Sequence, residues 1–368
     1  MKIPAILFSA LSFATIAVAE DSRTATTVRL TPVCKGLREP IAITSSEEEP
    51  SRLFVGERYG AVRVCSQGKL QSDDALDIEE ILSPSENPGL LSIALPPDFA
   101  KSKALYVSYT DKQGDTIVGR FPISASETAT EDDLGVVIKF VQPSPHNHRS
   151  TIAFGPDKQL YIGLGDVPSH SGMASLAQNR RSIFGKLLRI DTSDPTAYKI
   201  PSDNPFAKSD KAAPEVWALG VQNPTQLSFD KSTQRLFFAD AGRTIQEINI
   251  ADKGKSFGWR IVEGSHCVKS PCSLTSHVPP IHEFSTSPEH KILGGVVYSG
   301  KKLPELQGSY IFAEAGASQL FRLHSVDGTW QRESIASTTS PVVAIGQGGD
   351  GEVYAATQSG ELLTVAPH

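Results

Sequence analysis

The feature that most constrains this chain is a turn followed by a strand, a pattern that returns along its whole length. Its strongest copy lies in HNHRSTIAFGPDKQLYIGLGD, residues 146–166, where Gly155, Pro156 and Asp157 make a turn that feeds a β-rich run. Weaker copies are PPDFAKSKALYVSYTD (96–111), LSFDKSTQRLFFADAG (227–242) and AIGQGGDGEVYAATQSG (344–360). Turn-forming residues ahead of aromatic and β-branched ones favour an extended, half-buried segment over a helix. The apolar pairs heading the strongest strands are Leu53-Phe54, Leu105-Tyr106, Leu160-Tyr161, Leu236-Phe237, Ile311-Phe312 and Val353-Tyr354. Divided over six repeats, the chain without an N-terminal leader of 19 residues allows about 58 residues each, enough for a four-stranded sheet with its loops, and radial repetition of such sheets makes a β-propeller. The expected fold is therefore all-β, a six-bladed β-propeller in one domain. The spacing is uneven, and the wide gaps after 160 and 236 hold insertions, which in a propeller gather at the ends of the central channel. The 29 glycines and 25 prolines suit many turns. Only Ala174 to Leu188 offers a helical turn or two.

Lys2 precedes an apolar run from Ile3 to Val18 that closes on Ala17-Val18-Ala19, the order of a secretory signal, with cleavage expected after Ala19. The folded domain is then 20–368, secreted or periplasmic. No other segment is long and apolar enough to span a bilayer. Net charge is −6, and the Lys and Arg residues are scattered, which argues against nucleic acid as a partner. Of the four cysteines, Cys267 and Cys272 share one short loop, GSHCVKSPCS, which favours a disulfide between them and leaves Cys34 to pair with Cys65. A zinc site would need a second close pair of ligands with suitable spacing, and that is missing from the sequence.

Nine blocks in order carry a further likeness: GLLSIALPPDFA (89–100), FGPDKQLYIGLGD (154–166), FGKLLRID (184–191), YKIPSDNPF (198–206), PEVWALGVQNP (214–224), DAGRTIQEINI (240–250), FGWRIVEGSHC (257–267), GGVVYSG (294–300) and LPELQGSYIFAE (303–314). In these the chain resembles the glucose/sorbosone dehydrogenase family, six-bladed propellers that include soluble quinoprotein aldose dehydrogenases and hedgehog-interacting-protein-like proteins. The resemblance implies pyrroloquinoline quinone (PQQ) over the channel mouth with a calcium ion, and oxidation of a small sugar at its C1 hydroxyl. The cofactor would do the redox chemistry, while the protein supplies a base, a cation and orientation.

The carry-over of residues is mixed. Catalytic members have a histidine nineteen positions before the acid that orients it. Counting back from Asp166 gives Asn147, flanked by His146 and His148, and the two glycines expected next are Arg149 and Ser150. Because side chains alternate along a strand, His148 would face away from the cofactor unless a bulge restores it. His148 as base with Asp166 as its partner is the catalytic expectation. His146, or no base at all, stays open, and so does Asp166 as a plain turn acid. Where the family places an arginine against the quinone, this chain has Gln222, followed by Asn223 before Pro224. Asn87 stands as a shortened analogue of a family glutamine. Arginines that clamp the cofactor carboxylates are replaced by Pro341 and Val343, and the lysine expected after 310–314 is not evident. The expected cofactor contacts are thus Asn87, Asn147, Gln222 and Asn223. Calcium is expected on the carbonyls of Gly242 and Arg243, whose alternative is an ordinary tight turn. Glu247, Asn249, Asp203 and Glu215 read as structural.

Other chemistry is weaker. Ser169, His170 and Ser171 lack the strained elbow of a serine hydrolase. His266, His277, His282 and His290 lack helical metal-site spacing. The rival to a dehydrogenase is a non-catalytic extracellular propeller that binds a glycan or a protein through the same channel face, which the loss of charge at Gln222, Pro341 and Val343 favours.

Overall fold

A computed structural model describes residues 28–83, 89–124, 126–143, 149–167, 174–287 and 291–368. Among them the architecture is all-β, with one four-residue α-helix, Phe99–Ser102. Four antiparallel sheets of four strands alternate with turns, and a nine-stranded sheet holds the strands from both ends of the chain. Six strands, Pro40–Thr44, Leu90–Ala94, Ser150–Phe154, Pro224–Phe229, Lys291–Val297 and Val342–Gln347, contact one another in a closed circuit around a channel. Each is followed in its sheet by one of the strands marked from the sequence. Leu160–Leu164 and Val353–Thr357 are buried throughout, because neighbouring sheets cover both faces.

The expected separation into six four-stranded sheets is modified where the chain closes. A single parallel contact, Thr44 with Gln347, joins the first and last sheets into one. Arg29–Lys35 pairs antiparallel with Glu361–Ala366, so the two ends of the fold share hydrogen bonds. Cys34 is bonded to Cys65 and Cys267 to Cys272, as the cysteine spacing suggests. The first bridge ties the closing strand to Ala61–Ser66, across the seam.

The recurring turn has a physical basis. Asp157 accepts hydrogen bonds from the Gln159 amide, the Tyr161 hydroxyl and Arg189, while Arg189 also reaches Asp203 and Asn204 and lies over the Trp217 ring. Asp203 is therefore structural, and so is Glu215, which accepts from the Tyr198 hydroxyl. The helical expectation at 174–188 fails: the segment turns and then enters the strand Lys186–Ile190. Its carbonyls also converge on one side chain, for Lys186 Nζ donates to Leu176 O, Ala177 O and Phe184 O at 2.7–2.9 Å. Gly185, at φ +68°, is outside the helical region as well.

Candidate functional site

Antiparallel pairing brings the starts of the channel strands and the ends of their partners to one mouth. Arg149 precedes Ser150–Phe154, Asp166 follows Leu160–Leu164, Gln222 and Asn223 precede Pro224–Phe229, and Gly242 and Arg243 follow Leu236–Ala241. Backbone bonds weld them together: Gly165 N donates to Arg149 O (3.0 Å), Asp166 N to Gln222 O (2.8 Å) and Ala241 N to Asn223 O (3.0 Å). The amides of Gln222 and Asn223 both donate to the buried carboxylate of Asp240, at 2.8 and 2.5 Å. Gln222 Oε1 accepts from Arg243 N at 3.2 Å. The structure thus brings Asp166, Gln222, Asn223, Gly242 and Arg243 to one mouth. Asn87, His146, Asn147 and His148 lie outside the described residues.

Asp166 is held more firmly than a turn acid requires. Oδ1 accepts from Leu176 N (2.9 Å), and Oδ2 from Ser175 Oγ (2.5 Å) and Trp259 Nε1 (3.0 Å). Ser175 and Trp259 escaped the sequence reading. Trp259 sits within a family block, but nothing local says that its indole returns to Asp166. Lys186 fastens the loop that carries Ser175, and burial pushes its amine down to about 7 while the Asp166 charge pulls it back up. Its three carbonyl acceptors match the three donors of an ammonium.

Two arginines stand at this mouth, Arg149 just before Ser150–Phe154 and Arg243, whose backbone amide donates to Gln222 Oε1. Arg149 is solvent-exposed yet crowded by protein, as on the wall of a cleft, and this crowding, with Arg58 nearby, lowers its pKa from the usual arginine value. It remains a cation all the same. Arg243 is also exposed, and neither side chain has an ion-pair partner among the described residues. Val343 lines a cavity of about 490 Å³ inside the channel, which opens toward the far end, near Ser46, Pro97, Pro156 and Gly349.

A model of the Glucose / Sorbosone dehydrogenase family matches residues 37–364. The chain belongs to the glucose/sorbosone dehydrogenase family. An uncharacterized protein of Synechocystis sp. is 30% identical over 363 residues, covering 91% of this chain and 86% of its own. Human hedgehog-interacting protein is 28% identical over 89% of this chain, which spans half of that protein's length. The crystal structure of soluble aldose sugar dehydrogenase from Escherichia coli, in the apo-form, is similar with a TM-score of 0.75 at 26% identity, over 93% of this chain and 100% of that one.

Membership of the glucose/sorbosone dehydrogenase family raises the question of whether these side chains suit PQQ and calcium. A carboxylate-bearing quinone is matched in charge by Arg149 and Arg243, in place of the missing arginines at 222, 341 and 343. Calcium is not matched. The Gly242 carbonyl accepts from Gln246 Nε2 at 2.9 Å and lies 3.5 Å from the Thr286 hydroxyl, donors that turn positive edges toward any cation there. Among the described residues no group of three His, Cys, Asp or Glu side chains could hold a metal. The donors already on the Gly242 carbonyl stand against the calcium ligation expected there.

Proposed function

We propose that this chain is an exported quinoprotein-type dehydrogenase, a single six-bladed propeller spanning 20–368 after a leader of 1–19, that oxidises the C1 hydroxyl of an aldose. In this reading the nine-stranded sheet is two blades joined at Thr44 and Gln347. The observation that carries the catalytic reading is the grip on Asp166, whose carboxylate accepts from Ser175 Oγ, Leu176 N and Trp259 Nε1 and is thereby held in one orientation. In the family likeness this acid orients the base, for which His148 is the candidate.

His148 then takes the proton from the sugar hydroxyl as general base, and Asp166, fixed by Ser175, Leu176 and Trp259, holds its ring. Asn223 and Gln222 line the same mouth, and Arg149 and Arg243 would hold the carboxylates of a bound cofactor. When bound, PQQ supplies the two-electron acceptor. The second reading, a propeller that binds a glycan or protein here without chemistry, draws on Ile261, Val268 and Leu274, exposed on the disulfide-bearing loop that also carries Trp259. Titration of purified protein with PQQ, followed by dye reduction with aldoses, separates the two. The enzyme reading expects saturable binding and turnover abolished by His148→Ala. Saturable binding without turnover supports the binder.

A further inference from the structure

We infer that the turn at Gly242 is latched without metal, so that this mouth takes its anionic ligand on guanidiniums and not on a divalent cation. Gln246 is wholly buried and uses every hydrogen-bonding edge. Its Nε2 donates to Gly242 O (2.9 Å) and to Thr286 Oγ1 (2.5 Å), while its Oε1 accepts from Ile292 N (2.9 Å). A neutral amide thus stands where a cation would have to approach the carbonyl, and it is tied to a separate sheet through Ile292. The carboxylate best placed to neutralise a cation is also committed. Glu263 Oε1 accepts from Thr244 N (2.7 Å) and Ile245 N (3.2 Å), and its Oε2 accepts from the Thr244 hydroxyl (2.5 Å). Gly242 O and the amides of Thr244 and Ile245 are therefore satisfied from within the chain, and Arg149 and Arg243 are exposed at the same mouth. The metal-free latch holds whether or not the mouth is catalytic, while the anionic ligand rests on the dehydrogenase reading.

The test begins with calcium alone, added to the full chain and followed by calorimetry and by melting temperature. The expected result is no saturable heat and no thermal shift up to roughly 10 mM, above the dissociation constants of even weak extracellular calcium sites. Saturable binding of one calcium with a rise in melting temperature overturns the inference. PQQ titrated in EDTA and in calcium should bind with affinities agreeing within about two-fold, and a loss of affinity in EDTA overturns it. If PQQ binds in neither buffer, the dehydrogenase reading falls, and the calcium titration still decides this one. Gln246→Glu supplies a positive control, because a carboxylate cannot donate to Gly242 O and would set two oxygens facing each other. That variant should gain a calcium-dependent rise in melting temperature. A folded Q246E that ignores calcium removes Gln246 from the role of displacing the metal, and if Q246E does not fold, the wild-type titration decides.

Discussion

Trp259 Nε1 donates to Asp166 Oδ2 at 3.0 Å, across 93 positions of sequence. This bond couples the long insertion after the strand Ile245–Ala251 to the end of Leu160–Leu164, and with Ser175 and Leu176 it leaves the carboxylate a single orientation. The insertion is pinned in turn by Gln178 Nε2 donating to Trp259 O at 2.6 Å.

Asp166→Asn places an NH2 group among three donors, so the side chain must rotate away from its partners. Under the dehydrogenase reading kcat should fall by about 100-fold, within the usual range for a lost acid–base function, with the dissociation constant of PQQ nearly unchanged. Trp259→Phe keeps an aromatic ring but removes the indole N–H, and the lost bond to a charged group by itself should cost about 1.5 to 3 kcal/mol in stability. Steady-state kinetics beside denaturant melts check both. A D166N protein with full turnover would make Asp166 purely structural.

Arg149→Gln tests where the missing charge comes from. Loss of one cation facing a carboxylate should weaken PQQ binding by about ten-fold at low salt, with a smaller loss at high salt as the wild-type interaction is screened. Fluorescence titration at two ionic strengths measures this. Equal affinities for wild type and R149Q would assign the charge elsewhere.

Glu247 faces Asp240 across two buried strands, and burial, followed by the Asp240 charge, raises its pKa above the usual glutamate range. The folded state then keeps a proton that the unfolded chain has lost, so stability from this group is full below the ordinary glutamate pKa. It declines as pH rises through the raised value. Glu247→Gln should flatten this slope and stabilise the protein at neutral pH by about 1 kcal/mol, measured by urea denaturation across a pH series. A slope unchanged in E247Q would place the proton on another group.

Cys34→Ser with Cys65→Ser removes the bridge over the seam. The bonded residues are 31 apart in sequence, and releasing them should cost about 3 to 4 kcal/mol by chain entropy. Denaturant unfolding of the double variant checks the figure, and a cost near zero would mean that the pairing of Arg29–Lys35 with Glu361–Ala366 closes the fold by itself.

The sequence alone determined the strands. Each apolar pair, from Leu53-Phe54 to Val353-Tyr354, lies in a strand second from the channel, because turn chemistry and β preference act over a few neighbouring residues. The pairing of the cysteines was legible for the same reason, since five positions fix the Cys267–Cys272 loop. Only the tertiary structure decided how Asp166 is gripped, why 174–188 is no helix, what fills the turn at Gly242, and how the first and last sheets join. In each case a side chain from one segment satisfies the backbone or carboxylate of another: Trp259 for Asp166, Lys186 for the carbonyl of Leu176, Gln246 for the carbonyl of Gly242. A buried polar group must find a partner somewhere, and local sequence does not say where, because the partner is chosen by the path of the folded chain.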